Sequence, residues 1–206
     1  MLFNSLALVS TLIILIALRR LVGVIPSLIA CLFRGKESIN LEASVQLSRD
    51  RNLVALTMVL PFCLTIWKFG LYAPAFMQDF NENISLLGTI GIFMCFTLVR
   101  KALEYILRPK RVSRSTYHTA CISSRTFFCI LTFILMAVGG TASFIGTPEC
   151  DIRTAMLWVS ASIYLIFALR KFQILASSSS FFAAFLYLCA LEIIPTGALV
   201  ASAIIF

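Results

Sequence analysis

Glu192 is the one acidic residue of this 206-residue sequence that falls inside an apolar stretch. A carboxylate near the centre of a bilayer costs at least about 2.5 kcal/mol on insertion scales, so it takes a partner or stays neutral. Its neighbours on a helix, Leu188, Cys189, Pro195 and Thr196, include no cation. Pro195 has no N–H and leaves the carbonyl of Leu191 without its usual donor; Pro61 acts in the same way in an earlier stretch. An acid beside a broken helical turn suits ion or proton handling. The same pattern suits an acid that ties two helices together. Lys68 is the candidate ion-pair partner. It lies roughly 24 Å up a helix that starts near Asn52, and Glu192 lies roughly 20 Å above Ser179 on a helix running the same way. Lys68 can equally turn to headgroups beside Trp67 and Tyr72. Both placements are open.

The remaining reactive residues form no constellation. His118 is the single histidine, and a zinc site needs three or four ligands that nothing near it supplies. The seven cysteines, Cys31, Cys63, Cys95, Cys121, Cys129, Cys150 and Cys189, show no CxxC spacing and read as small core residues. Asp79, Glu82, Glu149 and Asp151 read as solvated loop charge. Asn83-Ile-Ser85 matches a glycosylation sequon by chance spacing. There is no phosphate-binding loop, dinucleotide fingerprint, HExxH or GxSxG. The expectation is therefore no catalytic residue, no metal and no cofactor: a protein that is not an enzyme.

The elements that carry these residues are apolar runs. The chain is 60% hydrophobic and 13% charged, where a soluble domain is typically about 25% charged. The runs are too long and too evenly apolar for an outer-membrane barrel. The spacing predicts an all-α, polytopic transmembrane bundle in a single membrane domain over 1–206, with spans at about 2–18, 53–71, 84–107, 126–145, 155–169 and 181–206. Residues 21–33 reach only roughly 20 Å as a helix, short of a bilayer core of about 30 Å. With Arg20 and Arg34 at its ends, this segment reads as an interfacial helix bent at Pro26, or as a re-entrant one. Ser177 to Ser180 offer N-caps to the last span.

Charge supplies an orientation. Of the 17 Lys and Arg residues, all but Lys68 and Arg153 fall in alternate gaps between the runs. Short basic loops stay in the cytoplasm, which places both termini outside. The net charge of +8 then reflects contact with an anionic inner leaflet, not nucleic acid. Arg19, Arg20, Arg108, Lys110, Arg111 and Arg114 are the expected headgroup contacts. Charge that follows the first run, with none before it, reads as a reverse-oriented anchor and not a signal peptide.

The run Phe185-Leu-Tyr-Leu-Cys-Ala-Leu-Glu-Ile-Ile-Pro195, with Arg170-Lys-Phe-Gln-Ile-Leu before it, resembles the C-terminal signature of an uncharacterised bacterial membrane-protein family of the Bacteroidota type, described only as a domain of unknown function. The layout of an anchor, a basic stretch and further spans is similar too. The resemblance implies a helical inner-membrane protein and brings no activity. The functional expectation is a non-enzymatic accessory or scaffold subunit of a larger inner-membrane assembly with a membrane-protein partner. The alternative is a small transporter or proton-linked carrier built around Glu192.

Overall fold

The computed structural model describes residues 2–33, 45–72, 74, 77, 80–107, 114–177 and 180–205. Every regular element among them is helical: α1 (Leu2–Phe33), α2 (Val45–Thr57), α3 (Val59–Lys68), α4 (Glu82–Ile106), α5 (Arg114–Ile145), α6 (Glu149–Ala176), α7 (Phe181–Leu188), a π-helical segment (Cys189–Ile193) and α8 (Ile194–Ile205). Six helical stretches are long and apolar enough to cross a membrane: Leu2–Pro26, Ser48–Lys68, Glu82–Ile106, Ser123–Ile145, Glu149–Ala176 and Phe181–Ala203.

The contacts form two compact units. The first comprises Met1–Leu71 and Cys121–Phe167; the second comprises Tyr72–Ala120 and Ala168–Phe206.

In the first unit, α1 is one continuous helix. The separate interfacial helix expected over 21–33 is instead its second half. The reason lies in the packing. Leu21 and Val24 are buried against Val54, Ala55 and Met58 and against Cys129 and Ile130 of α5. This apolar stripe carries the helix past Arg19 and Arg20. Pro26 costs a single backbone bond, to Val22, and points outward. Pro61 likewise cannot donate to the carbonyl of Thr57, and the helix is interrupted at Met58, between α2 and α3. Phe62 meets Phe128 edge-on with centroids 5.0 Å apart, and Phe127, Ile163 and Phe167 form a further cluster. Gly139 permits a close approach: a Cβ there would stand 2.7 Å from the Phe69 ring and 3.1 Å from Met156 Cε.

In the second unit, Ala120, Leu175 and Ala184 bring α5, α6 and α7 together, and Phe172 meets Phe181 edge-on at 5.1 Å. Ser180 is the N-cap of α7, accepting from the Ala183 N–H at 3.4 Å. The hydroxyls of Tyr72 and Ser202 are 2.8 Å apart, which ties the end of the last helix to the segment preceding α4. The helix α4 reaches Ile106, close to the end expected at 107, and α6 runs on past the end expected near Leu169. That extension sets the chemistry below.

Candidate functional site: a buried carboxylate held by two cations

Lys171 sits on an i, i+4 stripe of α6 formed by Ile163, Phe167, Lys171 and Leu175, and all four are buried. A single face thus carries three apolar residues and one ammonium into packed surroundings. Arg100 and Glu104 lie one turn apart on α4, with Arg100 Nε 3.9 Å from Glu104 Oε1. The Tyr117 hydroxyl, on the first turns of α5, donates to the carbonyl of Glu104 at 2.6 Å. The last helix brings Glu192 into this group.

Glu192 lies in the π-helical segment, where the Ile194 N–H bonds back to the carbonyl of Cys189. The sequence supplies a cause. In an α register Pro195 stands opposite the Leu191 carbonyl and has nothing to donate. In the wider π register residue 196 takes that place. The extra residue also turns the helix face by about 100° at that point, given 3.6 residues per turn.

The carboxylate is 1% exposed, and so is Lys171. Lys171 Nζ donates to Glu192 Oε1, and Arg100 Nη2 donates to the same oxygen at 2.5 Å. Arg100 is more open, at 21% side-chain exposure. These four charges, Arg100, Lys171, Glu104 and Glu192, sum to zero. An isolated buried ion is costly, and a mutually paired, hydrogen-bonded set is the arrangement that offsets the cost. The contacts span 92 and 21 residues of sequence, so the carboxylate fastens α4, α6 and the last helix to one another.

Lys68, the candidate partner read from the sequence, is not one of these cations. Its ammonium stands over the Phe69 ring, 5.4 Å from the centroid. Arg100 and Lys171 read from the sequence as charges of the loops. Both sit within helices, one turn or more before the helix end, and their long side chains reach the acid. The i, i+4 stripe through Lys171 was the available signal.

Among the other expected positions, Arg19 is exposed and Arg20 lies 3.9 Å from Asp50. Arg114 opens α5. Arg108, Lys110, Arg111 and Asp79 fall outside the described residues. Among the described residues no cluster of metal-ligating side chains occurs.

Fold and site together define a multi-pass, all-α membrane protein with a buried, compensated charge cluster. Residues 5–202 match the family described as a domain of unknown function, DUF4271. The chain belongs to that family. No curated protein and no solved structure matches it.

Proposed function

We propose that this chain is a non-enzymatic accessory or scaffold subunit of a larger assembly in the bacterial cytoplasmic membrane. In this reading both termini lie outside and the basic segments face an anionic inner leaflet. The observation that carries the reading is the state of Glu192: one oxygen engaged by two cations from two other helices, with acid and lysine both 1% exposed. Such a carboxylate sets helix positions. A transported ion or substrate needs an acid with an open side. Outward apolar surface adds to this: α4 has only 11% of its span buried, a face suited to lipid or to another membrane protein.

The carrier reading retains one supporting observation, the π-helical segment at the acid, because such segments recur at functional sites. Purification in gentle detergent followed by mass spectrometry separates the two. A stable membrane-protein partner at fixed stoichiometry supports the subunit reading. A solitary protein that drives ion or proton flux in liposomes, and loses it in Glu192→Gln, replaces it with the carrier.

A further inference from the structure

The first unit contains a groove of about 330 Å³ between α1 and α2. Ile13, Ile16 and Ala17 form one wall, Leu53, Val54 and Thr57 the other, and Arg20 closes one end. From Ile13 to Arg20 the groove runs roughly 10 Å along the helix. Its walls are apolar apart from the Thr57 hydroxyl, which is turned back to the Val54 carbonyl at 2.8 Å. Its volume lies at the lower end of ligand-sized cavities, roughly 300–1,000 Å³, so it takes part of one hydrocarbon chain and leaves a headgroup outside.

We infer that this groove is a site for one anionic phospholipid, with an acyl chain between α1 and α2 and the headgroup phosphate on Arg20. Charge complementarity selects the occupant. The Arg20 side chain is 56% exposed, and its ion-pair partner among the described residues, Asp50, is 3.9 Å away. That distance exceeds hydrogen-bonding range, so the planar fork of donors remains presented outward. Arg19 and Arg49 are exposed as well, but neither lines the groove. Arg51 is turned inward, donating to Ser48 Oγ at 3.1 Å and Asn52 Oδ1 at 3.3 Å, and is not part of the contact. A guanidinium at the mouth of an apolar inter-helix groove recognises a phosphate that arrives with its own chain. The inference uses the membrane placement of the first unit and not the scaffold role, so either can fail alone.

Native mass spectrometry of the full chain in mild detergent tests it, with phosphatidylglycerol and phosphatidylcholine as probes at equal concentration. Wild type should retain phosphatidylglycerol about fivefold better, the preference that one basic residue near the surface supplies. Arg20→Gln should lose the preference, Arg20→Lys should restore most of it, and Arg19→Gln should leave it intact. Ile16→Trp, which fills the mouth, should lower retention of both lipids. Soluble glycerol phosphate should not compete, because it brings no chain. Equal effects of Arg19→Gln and Arg20→Gln would reveal diffuse surface charge and overturn the site. So would competition by glycerol phosphate, or a dimer of this chain that Ile16→Trp breaks.

Discussion

Each unit buries a cation, and the two are held differently. In the first, the fully buried Arg51 donates to Ser48 Oγ and Asn52 Oδ1, three residues and one residue away on its own helix. In the second, Lys171 and Arg100 converge on an acid 21 and 92 residues distant. Those two oxygens lie on the arginine's own helix and by themselves fix nothing beyond it. A shared carboxylate constrains three helices together, and it exists only if all three arrive. In the second unit a single carboxylate joins three helices.

This contrast predicts the largest effect for loss of the shared acid. Glu192→Leu removes the acceptor shared by the buried Lys171 and the half-buried Arg100 and should cost about 3–5 kcal/mol, or less if the bilayer softens the penalty. The measurement is thermal unfolding in detergent. Lys171→Met should be milder, about 2 kcal/mol, because Arg100 still donates to the acid. In the Glu192→Leu/Lys171→Met double variant the two losses should fall short of their sum, since each removes the same contact. Strict additivity would break the comparison.

Packing tests sharpen it further. Gly139→Val in the first unit drives methyl groups into Phe69 and should cost about 1–3 kcal/mol. Gly91→Ala in the second meets nothing within 4 Å and should be neutral or stabilise by up to about 1 kcal/mol. A similar loss at both glycines would mean that α4 is covered by something other than lipid. The smallest effect is expected from Lys68→Met, about 0.5 kcal/mol from the contact with Phe69. It should also add simply to Glu192→Gln. Coupling between those two would reinstate Lys68 as the partner of the acid.

The spans were legible because hydrocarbon length and the cost of charge act on each stretch by itself. So was the need of Glu192 for a partner or a neutral state, since an acid in an apolar run is costly whatever surrounds it. The breaks near Pro61 and Pro195 follow from a missing N–H and need no neighbour. What the sequence could not decide was where an apparent loop charge ends up. Arg100, Lys101, Arg170 and Lys171 look alike as a set of basic residues at span ends. Helical phase separates them: Lys171 continues the Ile163–Phe167 stripe inward, while Arg170 turns outward to Gln173 at 3.1 Å. Burial of Leu21 and Val24, likewise, made one helix of two expected ones. Both outcomes depend on which face finds a neighbour, and that is a property of the packed chain alone.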